Sequence, residues 1–123
     1  MANEITVTGK ITLKNGKFEL ELNSRSLQAD QAGTGGVHQE QNIGTTYEAI
    51  SLGEVTTAGY AMFRNNDDTN FLQIGLDGGA ALTPVMKLLA GETAGPFRID
   101  AAATLFALAD TAACELEVII LEN

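Results

Sequence analysis

The feature that most constrains the fold is a strict alternation of apolar and polar residues close to the N-terminus. Residues 5–13 place apolar side chains or glycine on one face and threonine or lysine on the other. A period of two with β-branched residues is typical of a half-buried strand. The Asn-Gly pair at 15–16 favours the positive φ of a tight turn, and the alternation resumes over residues 18–22. The sequence therefore predicts a β-hairpin over residues 4–22.

The second strand of this hairpin carries large apolar residues on one face. Phe18, Leu20 and Leu22 alternate with Glu19 and Glu21. Because successive strand residues point to opposite faces, we expect the three apolar side chains to be buried and the glutamates to face solvent or a partner. On that expectation, Leu20→Ala costs roughly 2–5 kcal/mol, as other core truncations do.

The segment at 23–44 departs from this pattern, since it is rich in Gln, Gly, Ser and Asp and poor in large apolar residues. Loops of this length are uncommon inside compact domains and tend to be functional or mobile. Two interpretations stay open: an arm that orders on contact with another subunit, and a disordered surface loop. The residues of the candidate subunit-contact arm are Gln28, Asp30, Gln31, Gly33, Thr34, Gly35, Gly36, His38, Gln39 and Gln41.

Strand patterns return after this segment. They predict strands at roughly 45–55, 59–65, 70–76, 83–90, 95–100, 103–109 and 113–121. The alanines around 101–109 are good helix formers, so a short helix is the alternative there, but turn-like residues on both sides favour a strand. Eight or nine short antiparallel strands with glycine-rich turns indicate an all-β fold. We expect a single β-sandwich or jelly-roll domain over residues 1–123, with 23–44 as its long polar loop or arm.

Charge and hydropathy disfavour several classes of protein. The net charge is −9, and the 7 Lys and Arg residues form no cluster, which disfavours nucleic-acid binding. No apolar run approaches the ~20 residues that cross a bilayer, and no basic segment precedes an apolar run at the N-terminus. We therefore expect no membrane partner and synthesis in a cytoplasm. The single cysteine allows no intrachain disulfide.

Residues able to support catalysis or metal binding are few. His38 is the single histidine, lies in the polar segment and is far in sequence from Cys114, so we expect a solvated histidine and a buried, inert thiol. Together the two are too few for a zinc site. The sequence predicts no enzyme, no catalytic residue, no metal and no cofactor.

Three polar or glycine-rich stretches are better explained as turns or loops. Asp67 and Asp68 are adjacent, so they cannot easily flank one glycosidic bond, and the oxygens of residues 65–70 lack the spacing of a calcium loop. The glycines of 33–36 lack the lysine of a phosphate-binding loop, and 77–79 is typical of a turn. We expect Asp and Asn side chains at 65–70 to cap their own turn.

Three groups of short segments form a strand-and-turn layout without a catalytic signature. They are DQAGT at 30–34 with QNIGTT at 41–46 and EAI at 48–50; GYAMFRN at 59–65 with DTNFLQIG at 68–75; and MKLLAGE at 86–92 with PFR at 96–98 and LFALADTAA at 105–113. In these segments the chain resembles a family of small virion proteins of tailed phages. The resemblance covers most of the chain from residue 30 onward. It implies a β-sandwich or jelly-roll structural protein and offers no active-site residue to carry over.

The context that the resemblance implies, a phage particle, leads to an expected role and set of partners. The expected function is a non-enzymatic capsid decoration or cement protein that stabilises the head by bridging major capsid subunits. Its partners would be copies of itself, with a homotrimer favoured from common particle symmetry, and the major capsid protein. Its location would be the virion, assembled in the cytoplasm of the bacterial host. A tail, neck or fibre-associated subunit is the alternative, and a carbohydrate-binding module for host glycans is the alternative of another class, although the chain has no Trp and only 2 Tyr for stacking on sugars.

Overall fold

The computed structural model describes residues 4–23 and 26–123, with the backbone alone at residue 23, and it is all-β. No helix occurs in these residues. The strands are β1 (Ile5–Val7), β2 (Lys10–Asn15), β3 (Phe18–Asn23), β4 (Leu27–Ala29), β5 (Gly36–Ile43), β6 (Glu48–Ala49), β7 (Ala58–Asn65), β8 (Leu72–Asp77), β9 (Leu82–Leu88), β10 (Thr93–Arg98), β11 (Phe106–Ala109) and β12 (Cys114–Glu122). The alanine-rich stretch enters β11 after a turn at 101–102, so its interpretation as a strand is confirmed.

The chain divides into two compact units, an N-terminal unit at Met1–Gly33 and a C-terminal unit at Thr34–Asn123. The N-terminal unit holds two separate two-stranded antiparallel ribbons, β1 with β4 and β2 with β3. The predicted hairpin is therefore confirmed for β2 and β3, but β1 pairs elsewhere. Whether the two units fold as the single domain predicted from the sequence stays a prediction.

The C-terminal unit contains two four-stranded antiparallel sheets. Their strand orders are β10-β7-β12-β5 and β6-β11-β8-β9. The pairs are nested: β5 lies beside β12, β6 beside β11, β7 beside β10 and β8 beside β9. Strands that are distant in sequence are thus neighbours, and only β8 and β9 pair as a simple hairpin.

The hydrophobic core of the C-terminal unit combines residues of both sheets. Phe63, Leu116 and Val118 come from the first sheet, and Leu72 and Ile74 from the second, and all five side chains are fully buried. Along β12 the buried positions alternate with more exposed ones over Cys114–Ile120, which is the period expected of a strand with one face on a core. Burial of these large side chains stabilises the unit by about 1.5–3 kcal/mol for each.

The predicted loop or arm over 23–44 is wrong for much of its length. Leu27–Ala29 forms β4, and all 8 residues of Gly36–Ile43 form β5 in register with β12. Composition misled the prediction, because a strand held along its whole length by backbone hydrogen bonds needs few apolar residues of its own. Residues 24–25 lie outside the described residues.

The strand predicted at 45–55 is also much shorter than expected. Only Glu48–Ala49 pairs, as β6, and the chain then turns at 53–54. Gly53 has a φ of 57°, and the backbone N–H of Val55 donates to the carbonyl of Leu52 at 3.0 Å. A positive φ is open to glycine at little cost and ends the extended conformation.

Three of the four edges of the two four-stranded sheets are interrupted or very short. Both prolines of the sequence lie in edge strands, Pro84 in β9 and Pro96 in β10, and the register of each strand shifts along its length. Proline has no N–H to donate, and a bulge bends a strand away from a new neighbour. At the opposite edges, β6 is only 2 residues long, and β5 is bonded to the 49–51 backbone by its side chains. These features disfavour growth of the sheets by edge pairing.

Candidate interaction surface

The hairpin of β2 and β3 is built on a two-residue turn. Asn15 pairs with Phe18, so Gly16 and Lys17 form the loop, and Gly16 has a φ of 61°. The Asn-Gly signal located this turn to within one residue, since glycine supplies the positive φ at the first loop position. The register that the turn sets decides which side chains share a face.

One face of this hairpin is apolar except for Asn15, which lies next to the turn. The register pairs Ile11 with Leu22 and Leu13 with Leu20, and opposed residues of an antiparallel pair point to the same side. We call this the hairpin face, and its members are Ile11, Leu13, Phe18, Leu20 and Leu22. The other face carries charged and polar residues, including Lys14 and Glu19, whose Nζ and Oε1 lie 3.7 Å apart.

The hairpin face is exposed, which overturns the prediction that it is buried. Phe18 is 57% exposed, Leu20 58% and Leu22 72%, with Ile11 at 74% and Leu13 at 43%. The alternation correctly predicted which residues share a face, but it carries no information about what covers that face. The predicted cost of Leu20→Ala as a core truncation is therefore wrong for the isolated chain, because an exposed side chain leaves no cavity.

The candidate arm residues divide between the two units. Gln28 lies in β4 opposite Thr6, and the backbone N–H of Gln31 donates to Glu4 Oε2 at 3.2 Å. Asp30 and Gly33 belong to the same N-terminal unit, in the segment after β4. Thr34 and Gly35 begin the C-terminal unit, and Gly36 begins β5. They do not form one arm.

The remaining arm residues are part of a sheet. His38, Gln39 and Gln41 lie in β5, opposite Ile119, Val118 and Leu116 of β12. Gln41 Oε1 accepts a hydrogen bond from the backbone N–H of Ser51 at 2.8 Å, and its Nε2 donates to the carbonyl of Ala49 at 3.0 Å. Gln39 Nε2 donates to the carbonyl of Ser51 at 3.2 Å. These glutamines hold a neighbouring segment of their own chain.

A cluster of polar side chains surrounds Glu117 on β12. His38 Nε2 lies 2.6 Å from Glu117 Oε2, while Arg64 and the amide of Asn66 bond Glu117 Oε1. The hydrogen bond with His38, followed by those with Arg64 and Asn66, lowers the pKa of Glu117 from 4.5 to about 2. No local sequence pattern predicts this cluster, because its members come from three strands and the turn after one of them.

His38 and Cys114 are well separated, as expected, although His38 lies on a strand and not in a loop. Cys114 pairs with Ile43 at one end of the β5–β12 ladder and is buried in the core, whereas His38 lies beside Ile119 on the exposed face. Burial raises the pKa of the Cys114 thiol, which disfavours the reactive thiolate. The two groups therefore cannot act as a nucleophile and its base.

The carboxylate of Asp67 caps its own turn, as the sequence predicted. Its Oδ2 accepts hydrogen bonds from the backbone N–H of Thr69 at 3.0 Å and of Asn70 at 2.6 Å. These bonds lower the pKa of Asp67. Within 4–23 and 26–123, no three His, Cys, Asp or Glu side chains are grouped so as to hold a metal ion.

Both tyrosines are engaged within the chain. Tyr47 packs edge-on against Phe106 and donates its hydroxyl to Asp77 Oδ1 at 2.9 Å. Tyr60 lies under the guanidinium of Arg98, with 4.5 Å between the guanidinium carbon and the ring centroid. These contacts within the chain disfavour the use of either ring as a platform for stacking on a sugar.

Comparison with known proteins finds no significant match: no family model, no curated protein and no solved structure matches this chain. In the part of the chain that the structure describes, no helix is long and apolar enough to cross a membrane.

The net charge is carried by one unit alone. Residues 1–33 contain four Lys or Arg against four Asp or Glu and are neutral, so residues 34–123 carry the whole −9, with three basic residues against twelve acidic ones. The exposed apolar face thus belongs to a neutral unit of an otherwise acidic protein.

Proposed function

We propose that this chain is a non-enzymatic structural subunit of a tailed-phage particle, and that it decorates the capsid and stabilises the head by bridging major capsid subunits. The observation that carries the proposal is the uncovered hairpin face. Five large apolar side chains with these exposures present roughly 600 Å² of apolar surface, the upper end for the largest patch on an ordinary monomer. Such a patch is typical of a protein that works inside an assembly.

The strand order of the C-terminal unit supports the jelly-roll fold expected from the sequence. If its eight strands are numbered in chain order, the first pairs with the last, the second with the seventh, the third with the sixth and the fourth with the fifth. Rolling up one long antiparallel hairpin in this way gives two facing sheets with the orders 1-8-3-6 and 2-7-4-5. Jelly rolls of this kind are common in viral capsid proteins.

The partners follow from this proposal. Copies of the chain would associate, with a homotrimer as the favoured state, and the oligomer would contact the major capsid protein on the surface of the virion. Assembly would take place in the cytoplasm of the bacterial host. The arm of residues 23–44 keeps no part in the proposal, because β5 lies within a sheet and the hairpin face is the better contact surface.

The test is the number of copies in purified virions, measured by quantitative gel densitometry against the major capsid protein. A copy number comparable to that of the capsid protein supports decoration. A few copies would assign the chain to the tail, neck or fibre, which is the alternative position for the same fold. Absence from virions would overturn the proposal.

A carbohydrate-binding module for host glycans is the candidate of another class, since lectin domains also adopt jelly rolls. The contacts of Tyr47 and Tyr60 within the chain disfavour it. A glycan array with the purified protein separates the two: selective binding would favour the module over the structural subunit.

A further inference from the structure

We propose that the hairpin faces of neighbouring copies of this chain pack against one another and form the contact that holds the homo-oligomer together. This inference rests on the proposed function and deepens it, because it names the surface through which copies associate. The surface that covers the hairpin face is then the hairpin face of a second copy of the chain, formed by the same residues: Ile11, Leu13, Phe18, Leu20 and Leu22.

The hairpin needs a cover to be stable. A two-stranded ribbon is marginally stable in water and gains stability when its apolar face packs against another layer. Here β2 and β3 form a two-stranded sheet of their own, and each of their five large apolar side chains is at least 43% exposed. A face of this composition therefore favours association with another apolar face.

The area matches what a specific interface requires. Two hairpin faces in full contact would bury at most about 1,200 Å² in total, which reaches the lower limit of the range for stable, specific interfaces. The five side chains lie on a single side of one ribbon, so the patch can meet one copy of itself about a twofold axis, or converge with two copies about the threefold axis of the favoured homotrimer. The charged residues lie on the opposite side of the ribbon and stay in water.

Charge explains why copies would meet through this unit. The C-terminal units carry −9 each and repel one another, whereas the N-terminal units are neutral. Pro84, Pro96 and the short β6 also limit three of the four edges of the C-terminal sheets, so edge pairing between copies is disfavoured at those edges. Neither charge repulsion nor an interrupted sheet edge opposes contact through the hairpin face.

The test compares two lysine substitutions in the full-length chain by sedimentation equilibrium over a hundredfold range of concentration. Leu20→Lys places a charge in the centre of the hairpin face, and Thr12→Lys places the same charge on the opposite face of the same hairpin. We expect the parent to self-associate, Leu20→Lys to weaken association at least tenfold, and Thr12→Lys to remain within about twofold of the parent.

A second variant tests whether weaker association could come from unfolding of the hairpin and not from loss of the apolar contact. Ile11→Thr with Leu22→Thr replaces one facing pair with residues of high β-propensity, and we expect it to weaken association in the same way. A parent that is monomeric at every concentration, or a Leu20→Lys chain that associates like the parent, would overturn the inference.

Binding to phage heads that lack this protein separates this inference from the proposed function. If the parent binds heads but never self-associates, and Leu20→Lys abolishes head binding, the occupant is the capsid protein; the inference fails and the proposed function stands. If the parent self-associates through the hairpin face but does not bind virion components, the proposed function fails and the assigned contact stands.

Discussion

Asn65 is the residue on which the packing around the turn at 66–70 depends. Among the side chains that the structure describes it is the single fully buried polar one, and all its polar atoms bond the backbone. Its Nδ2 donates to the carbonyls of Asn70 at 2.9 Å and Leu88 at 3.0 Å, and its Oδ1 accepts from the N–H of Asp67 at 2.9 Å. One side chain therefore joins the end of β9 to the turn that follows β7.

We expect Asn65→Ala to destabilise the protein by roughly 2–4 kcal/mol, because buried backbone groups lose their partners. Urea unfolding at neutral pH measures the difference. Asn66→Ala is the matched control, since Asn66 is exposed and its amide bonds only the side chains of Arg64, Glu40 and Glu117. Equal stabilities of the two variants would contradict this role for Asn65.

Glu117 makes the stability of the fold depend on pH in the acidic range. Its pKa of about 2 in the folded chain lies below its ordinary value of 4.5, so the folded state holds the charged form more strongly than the unfolded state. The resulting stabilisation is fully present above pH 4.5 and is lost as the pH falls towards 2.

We expect Glu117→Gln to be less stable than the parent near neutral pH, with a difference that shrinks as the pH falls from 4.5 towards 2. Urea unfolding of both proteins across this range gives the comparison. Glu115→Gln, two residues earlier on the same strand and exposed where Glu117 is partly buried, is the control. A difference between Glu117→Gln and the parent that does not change with pH would contradict the prediction.

At the scale of elements, β5 acts through its side chains as well as its backbone. The amide of Gln41 bonds the backbone on both sides of residue 50, much as a neighbouring strand would. We expect Gln41→Ala to cost roughly 1–2 kcal/mol and to speed hydrogen exchange at the Ser51 amide. Asn42→Ala on the exposed face is the control, and unchanged exchange at Ser51 would show that the glutamine is dispensable.

Most strands could be predicted from the sequence because their patterns are local. The alternation around Leu116, Val118 and Ile120 and the turn residues at 65–70 placed β12, β7 and β8 close to their observed bounds. In contrast, β5 was mistaken for a loop, because its order depends on hydrogen bonds to β12. His38 and Glu117 are 79 residues apart, so no local sequence pattern predicts that their side chains pair.

The candidate surface was harder to predict than the strands. The sequence identified the apolar face of Phe18, Leu20 and Leu22, yet an alternating pattern is the same whether the cover is a second sheet, another molecule or water. The exposure of that face depends on the number of layers above it, and the amino acids of the hairpin do not encode this number.

At the scale of the whole molecule, the C-terminal unit contains its own complete core. The buried residues of this core all lie between Ile43 and Ile120. We therefore expect a chain that begins at Thr34 to unfold cooperatively, with a Tm within a few degrees of that of the full chain, as measured by circular dichroism. Loss of cooperative unfolding in residues 34–123 would show that the core depends on the N-terminal unit.

The nested pairing of the C-terminal unit also affects its synthesis. Because β5 pairs with β12, β5 cannot enter its sheet through this pairing until nearly all of the unit has left the ribosome. The β8–β9 hairpin can close first, and the outer pairs can then form around it in order of increasing sequence separation. All-β proteins dominated by such distant pairings refold in milliseconds to seconds, and slow closure exposes unpaired strands to aggregation. We expect the scarcity of large apolar residues in β5 to lower the tendency of this unpaired strand to aggregate until its partner is made.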